Sequence, residues 1–454
     1  MIGVPRRKVV LFFAAILLGI AAYSIPFAGL SLAGRITLGI FVTAALLWVT
    51  EAIPLFVTSF VILFAEVAFL GLPGGPLGLP PGGFAIFFAP FFDPIIVLFF
   101  GGFVLGIAMN RYHLDLMTAG VILRGVGTRP AWILAGFMGT TAFLSMWLSN
   151  TATTVLMIAV LVPILRGIPR DDPFHKALVL GIPFAANVGG VGTPIGTPPN
   201  AIAVANLARE GIFVSFLEWM VLSIPILLLI LALTWGALLL FYRPNTHQLE
   251  LNLAAAPPLN GRAWLVVGTF LVTVGLWLTA PLHGVPEGAV ALLPVVVFFG
   301  FGLLQSGDLS RVGWDVLFIV GGGLALGVAM DRSDLTRWVV SQVNLEGLAL
   351  WSVLLLLAAV AALMTTFISN SATAALLIPI ITNLPGIPAL PVTLAVAIAA
   401  SLSMALPIST PPNAIAYGTG EVGTADMARV GVPITVLGVL LVAVVGVTYW
   451  SILG

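Results

Sequence analysis

Two octapeptides break apolar runs of this chain in the same way. Residues 196–203 read GTPPNAIA and residues 409–416 read STPPNAIA. A run of about 20 apolar residues is long enough to cross a bilayer as one helix. Proline removes a backbone donor and clashes with the preceding turn, so Pro-Pro ends a helix. Backbone released at membrane depth is tolerated only inside protein or beside a water-filled cavity. Thr before Pro is a helix start, with Thr as N-cap and Pro at the first helical position. Thr197-Pro198 and Thr410-Pro411 are each expected to begin a half-helix. The stretch before the first, ANVGGVGTPIG (186–196), is too rich in Gly to be a stable helix.

Such runs recur along nearly the whole chain. Of its 454 residues, 60% are hydrophobic and 7% charged, with a mean hydropathy of +1.18. A soluble domain carries about 25% charged residues. The chain is therefore an all-α polytopic membrane protein with no room for a sizeable soluble domain. Its formal net charge of zero argues against nucleic acid as a partner. Cysteine is absent, which excludes disulfides, thiolate metal sites and cysteine nucleophiles. The basic-then-apolar start reads as a retained first span, since AYSIPFAG (22–29) is a poor cleavage context.

Eleven transmembrane spans are expected, near 9–28, 35–52, 54–72, 94–110, 177–208, 218–242, 263–281, 288–305, 315–330, 390–418 and 431–452. Two more apolar segments, near 130–165 and 349–383, fit better as re-entrant hairpins. With the N-terminus cytoplasmic and the C-terminus external, all of the 17 Lys and Arg face the cytoplasm except Arg35, Arg209, Arg332 and Arg337. That is the positive-inside bias. Reading both hairpins as ordinary spans would invert everything between them and move Arg166, Arg170 and Lys176 outside. A prokaryotic inner membrane is the expected location.

Other marks are duplicated in the same order. GGFVLGIAMNR (101–111) matches GGLALGVAMDR (322–332). LSNTAT (148–153) matches ISNSAT (368–373). The repeat units run over about 35–242 and 263–452, each with five crossings, one hairpin and one broken helix. An odd number of crossings inverts the second unit relative to the first. Inverted repeats with interrupted helices at matching places are the signature of a secondary transporter with its site near the midplane.

The hairpins carry Ser145-x-x-x-Ser149-Asn150-Thr151 and Thr365-x-x-x-Ser369-Asn370-Ser371. The i, i+4 spacing is expected to set Ser145 with Ser149, and Thr365 with Ser369, on one helix face. Hydroxyls, amide oxygens and carbonyls of an unwound turn are hard neutral ligands, suited to a cation such as Na⁺. Amide and hydroxyl donors at a helix N-terminus suit a carboxylate or another oxyanion. No Lys or Arg lies in either tip or broken helix. An anion there must be balanced by bound cations and helix dipoles, which makes co-transport physically sensible.

These residues, with the WVTEAIP stretch (48–54), resemble the divalent-anion/sodium symporter (DASS) family of di- and tricarboxylate transporters, over nearly the whole chain. The resemblance implies a homodimer in the lipid bilayer and an elevator motion. The scaffold would be 1–111 and 263–332, and the transport domain 112–242 and 333–454, joined by a cytoplasmic linker at 243–262. It implies one sodium site at Ser145, Ser149, Asn150 and the Gly196 backbone. The second would use Thr365, Ser369, Asn370 and the Ser409 backbone. Substrate carboxylates would meet Ser149, Asn150 and Thr151 on one side and Ser369, Asn370 and Ser371 on the other, with Thr197, Thr410 and Pro411 below. The second tip reads SNS where the family has SNT, which leaves the choice of anion open. No organic cofactor is implied; sodium is the coupling ion.

The remaining polar residues read as structural. Glu51, Asp93 and Asp315 are expected to cap helix ends, and His113, His175, His247 and His283 to lie at the surface. Gly101-Gly102 and Gly321-Gly322-Gly323 are expected to allow close helix packing. Glu66, inside an apolar run, has no evident role. Sodium-coupled symport of di- or tricarboxylates of the succinate, malate, fumarate and citrate class is the leading expectation. A sulfate symporter or a sodium-independent dicarboxylate exchanger on the same scaffold is the alternative. A membrane enzyme would need a catalytic constellation that the sequence lacks, and closed tips in inverted repeats argue against a channel.

Overall fold

The computed structural model describes residues 5–249, 259–342 and 347–453. Part of the expected linker, 250–258, and the ends of the expected domains therefore lie outside the described residues. Among the described residues every regular element is helical. The first repeat contains α2 (Leu32–Thr50), α3 (Leu55–Phe69), α4 (Pro94–Arg111), α5 (Leu114–Arg124), α6 (Pro130–Ser145), α7 (Asn150–Leu165), α8 (Phe174–Gly189), α9 (Pro198–Arg209) and α10 (Phe216–Phe241). Ahead of it stands α1 (Arg6–Ser24). The second contains α11 (Gly261–Leu278), α12 (Leu292–Gly300), α13 (Trp314–Arg332), α14 (Leu335–Ser341), α15 (Leu350–Phe367), α16 (Asn370–Ile381), α17 (Ala389–Ala400), α18 (Pro411–Gly418) and α19 (Thr424–Val445). The order of long, short and broken helices is the same in both.

Nine helices among the described residues are long and apolar enough to cross a membrane. The expected count of eleven exceeds this, because α3, α12 and α17, which fall on expected spans, are shorter than a full span. Conversely α15, the first limb of the second expected hairpin, has 18 residues and is itself one of the nine.

Glycine sets how near the helices come. A Cβ on Gly101 would lie 2.2 Å from the Ala291 carbonyl oxygen, and one on Gly322 would lie 2.3 Å from Ser59 Cβ. In lipid, where burial of apolar surface gives no net drive, such close backbone contact holds helices together. The repeats interlock by exchange. Helix α9 packs on α16 and α17 of the other repeat, and α18 packs on α7 and α8. The broken helices thus sit at the centre, each against its partner's hairpin. Helix α8 is buried along almost all of its length.

Several sequence expectations change. Helix α6 ends at Ser145 and α7 starts at Asn150, so Ser145 and Ser149 do not share one helix face. Likewise Thr365 lies in α15, while Ser369 is the N-cap of α16. A turn intervenes where the spacing suggested continuous helix. His175 is buried, and its Nε2 is 3.0 Å from the Ile168 carbonyl oxygen. Asp93 does cap α4, accepting from Ile95 N at 2.9 Å. Asp315 is not a cap but sits in the first turn of α13, whose N-cap is Gly313. Glu51 closes α2 in the left-handed conformation, φ 47°, rather than opening a helix.

Candidate functional site

The two broken helices are opened by their own asparagines. Asn200 Nδ2 donates to the carbonyls of Gly190 (2.9 Å), Val191 (3.3 Å) and Thr193 (2.7 Å). In the second repeat Asn413 Nδ2 donates to the carbonyls of Ser403 (3.2 Å) and Leu406 (2.9 Å). Both asparagines are fully buried. Carbonyls that the unwound chain leaves without helical partners are satisfied there, as burial requires. The Asn of each Pro-Pro-Asn therefore holds the break open. Each loop is also pinned to its own hairpin. Thr193 Oγ1 donates to the Met146 carbonyl at 2.6 Å, and Ser409 Oγ to the Thr366 carbonyl at 2.8 Å.

Around these breaks lies a cavity of about 500 Å³. It brings together Ser149, Asn150 and Thr151 from the first tip and Ser369, Asn370 and Ser371 from the second. Gly196, Thr197, Ser409, Thr410 and Pro411 complete its lining from the two breaks. Ser145 and Thr365 stand behind it, fully buried. A second cavity, about 640 Å³, shares Ser149 and Thr151 and extends to Asn110, Asp115 and Arg311.

Neutral oxygens gather at two points beside the first cavity. Ser145 Oγ is 2.6 Å from Asn150 Oδ1 and 2.8 Å from the Ala186 carbonyl oxygen. A Cβ on Gly190 would lie 2.6 Å from Asn150 Oδ1 and 3.1 Å from the Gly196 carbonyl oxygen, so only glycine fits between them. In the second repeat Thr365 Oγ1 is 2.6 Å from Asn370 Oδ1 and 2.7 Å from the Ala400 carbonyl oxygen. Ser403 Oγ adds a further hydroxyl, 3.2 Å from Asn370 Oδ1. Hydroxyl, amide and carbonyl oxygens without imidazole or thiolate are the donor set of a hard cation. Among the described residues no cluster of His, Cys, Asp and Glu competes as a metal site.

Anion donors come from the hairpins rather than from the breaks. Ser149 Oγ accepts from Ala152 N at 3.2 Å and Ser369 Oγ from Ala372 N at 3.1 Å, which fixes the starts of α7 and α16. The first-turn N–H groups of these helices have no intrahelical partner and face the tips. Helices α9 and α18 start with two prolines each, which carry no N–H. Thr410 caps α18 through Asn413 N at 3.3 Å, whereas the Thr197 side chain makes no such bond.

Three lining residues were not anticipated. Asn187 Nδ2 reaches Thr410 Oγ1 and Asn413 Oδ1, each at 3.2 Å, and so ties α8 to the opposite break. Glu51 and Asp315, read from sequence as caps, both line the cavity, and no Lys, Arg or His does. A carboxylate at a helix end looks like a cap in any sequence. Only the packing shows that it borders a cavity.

Comparison with known proteins agrees with this architecture. The profile described as the sodium:sulfate symporter transmembrane region matches residues 6–454. The chain belongs to that family, the divalent-anion/sodium symporters. A sodium-dependent dicarboxylate transporter, SdcS of Staphylococcus saprophyticus, is 32% identical over 90% of this chain and 85% of its own. An uncharacterized transporter of Haemophilus influenzae is 32% identical over 89% of this chain and 90% of its own. One from Schizosaccharomyces pombe is 33% identical over 92% of this chain, which spans half of that protein's length. Two solved structures share the fold. YdaH of Alcanivorax borkumensis has a TM-score of 0.54 at 18% identity, over 89% of this chain and 98% of its own. MtrF of Neisseria gonorrhoeae, from a class of antimetabolite efflux pumps, has 0.55 at 13%, over 96% and 94%. The family and these relatives make this protein a membrane transporter rather than an enzyme.

Proposed function

We propose that this symporter carries a dicarboxylate together with sodium ions, binding both at the central cavity. One observation carries the reading. Two neutral-oxygen clusters and two helix starts border a cavity whose charged lining residues are both carboxylates. A dianion entering alone meets Glu51 and Asp315 and no basic side chain. Cations at the clusters around Asn150 and Asn370 offset those two negative charges, so anion binding depends on them. The two carboxylates of the substrate then meet the α7 start at Ser149, Asn150 and Thr151, and the α16 start at Ser369, Asn370 and Ser371. Thr197, Thr410 and Pro411 form the floor. Gly196 and Ser409 contribute backbone oxygens to the cation sites beside Ser145 and Thr365. SdcS, a sodium-dependent dicarboxylate transporter, supports the same substrate class.

In this reading residues 112–242 and 333–454 move as a transport domain against a scaffold of 1–111 and 263–332. The scaffold pairs two copies into a homodimer, and the N-terminus lies on the cytoplasmic side. The Lys and Arg asymmetry supports that orientation. Sulfate is the second candidate substrate, favoured by the description of the family profile.

The test is uptake of labelled succinate into proteoliposomes under an inward Na⁺ gradient, with K⁺ as control. The expected result is Na⁺-dependent uptake, lost in Asn150→Ala and Asn370→Ala. Sulfate uptake without succinate uptake would replace the substrate. Succinate uptake that needs internal dicarboxylate and ignores Na⁺ would make the protein an exchanger.

A further inference from the structure

Glu66 has no place in the site just described. It lies in α3, its side chain is fully buried, and neither carboxylate oxygen has a hydrogen-bond partner among the described residues. An ionised carboxylate in such a setting lacks both water and donors, which is the costliest state for that group. Its surroundings do not supply enough positive charge. Arg209, at the end of α9, is the cation that acts on Glu66. The same guanidinium also stands in the electrostatic field of Asp93, Asp331 and Glu210, with no ion pair to any of them among the described residues. One positive charge thus stands among four carboxyl groups. Arg332 and Arg337 border the neighbouring pocket that contains Arg209, Glu210 and Asp331, but both are exposed to solvent. On α2, Arg35 lies over the Tyr23 ring, 5.9 Å from its centre. Nor do Glu66 and Arg209 form a close ion pair, and Arg209 Nη1 is itself buried without an acceptor.

Two buried hydroxyls lie on the helical stripe between this group and the central cavity. Leu55, at the start of α3, lines that cavity. Thr58 and Ser59 follow, fully buried, each with a hydroxyl that has no partner among the described residues. Ser59 stands at the seam with α13, where a Cβ on Gly322 would lie 2.4 Å from its Oγ. Positions 55, 58, 59, 62 and 66 fall on one helical stripe. The rise of an α-helix puts Glu66 roughly 16 Å beyond Leu55. Buried hydroxyls without partners are groups to which an entering water can hydrogen-bond.

The geometry points to Glu66 as a proton-binding carboxyl, in exchange with the central cavity along Thr58 and Ser59. The neutral acid removes the uncompensated charge and leaves Arg209 to the other three carboxylates. Given the transport reading above, the site lets a proton accompany or oppose the sodium-driven cycle.

The decisive experiment reads the carboxyl itself and needs no transport. Infrared spectra of the wild-type protein and of Glu66→Gln, reconstituted in lipid at neutral pH, are compared in H₂O and in D₂O. The expected result is a protonated-carboxyl C=O band in the wild type that shifts in D₂O and is missing from Glu66→Gln. Glu66→Gln is isosteric with the neutral acid, so it is expected to fold and to melt no lower than the wild type. Absence of the band, its survival in Glu66→Gln, or a band that does not shift in D₂O would overturn the proposal. Thr58→Val with Ser59→Ala is expected to slow the shift several-fold; an unchanged rate would reject this route. A protein that shows the band but takes up no succinate would refute the proposed substrate and leave Glu66 as assigned.

Discussion

At the scale of the residue, the proposed cation clusters rest on what is absent as much as on what is present. Gly190 has no side chain, and Asn150 Oδ1 occupies the space where one would stand. The matching residue of the other break is Ser403, whose hydroxyl instead contacts Asn370 Oδ1. The clusters are therefore similar but not equal. Gly190→Ala places a methyl 2.6 Å from Asn150 Oδ1 and should push that oxygen out of the first cluster. The half-saturating Na⁺ concentration for uptake is expected to rise by about tenfold or more, equivalent to about 1.4 kcal/mol. Ser403→Ala removes one donor oxygen from the second cluster without a clash, and a smaller rise is expected. Sodium titrations of succinate uptake measure both. Equal affinities in Gly190→Ala and wild type would mean that the first cluster binds no coupling ion.

At the scale of the element, each broken helix depends on one asparagine. Asn200→Ala leaves the carbonyls of Gly190 and Thr193 without their buried donor. Each orphaned group costs about 1–3 kcal/mol. The variant is expected to melt several degrees lower in detergent and to lose uptake, and Asn413→Ala is expected to do the same. An unchanged melting point in both would mean that the breaks are held by something other than these amides. A second joint lies outside the candidate spans, between the loop after α7 and the start of the linker. Asp172 accepts from Phe174 N (2.9 Å), Asn245 N (3.2 Å), Thr246 N (2.8 Å) and Thr246 Oγ1 (2.7 Å). Burial pushes its carboxyl up, but the bonds from Thr246, Phe174 and Asn245 outweigh it and hold the group below its ordinary value. A depressed folded-state value stabilises the protein above the unfolded value, near 3.9. That contribution is lost as pH falls through the lower, folded value. Thermal melts from pH 7 down to about 3 should show the wild type losing more than Asp172→Asn below about pH 4. Parallel curves would show that the joint carries no pH-linked stability.

The same elements show what the sequence could and could not reveal. The breaks, the tips and their pairing were legible because each motif occurs twice in the same order. Asn187 was not, since its counterpart in the second repeat is Ala400 and duplication gives no signal for a residue present once. The Ser145–Ser149 spacing suggested one helix face because a helix and a tight turn can both hold an i, i+4 pair. Burial of His175 and exposure of Glu51 to the cavity depend on helices distant in sequence, and no local pattern encodes them.

At the scale of the whole molecule, the proposed motion needs the two domains to slide past each other. The proposed division would put Gly102 of α4 on one side and Ile195 of the first break on the other, and the two residues are in contact. A Cβ at Gly102 would lie 3.4 Å from the Ile195 Cβ. Disulfides join residues whose Cβ atoms are about 3.5–4.5 Å apart. The chain has no cysteine, so no native thiol competes with an introduced pair. Gly102→Cys with Ile195→Cys is therefore expected to cross-link on mild oxidation and to fix α4 to the break. If cargo crosses by sliding of one domain, uptake should fall to background in the oxidised pair and return on reduction. Each single cysteine, treated in the same way, should keep its uptake. The opposite outcome is equally clear. A fully cross-linked protein that still accumulates succinate would show that α4 and the break stay together through the cycle. The moving parts would then have to be smaller than the domains drawn here, with the tips at Ser149 and Ser369 opening in turn around a fixed centre.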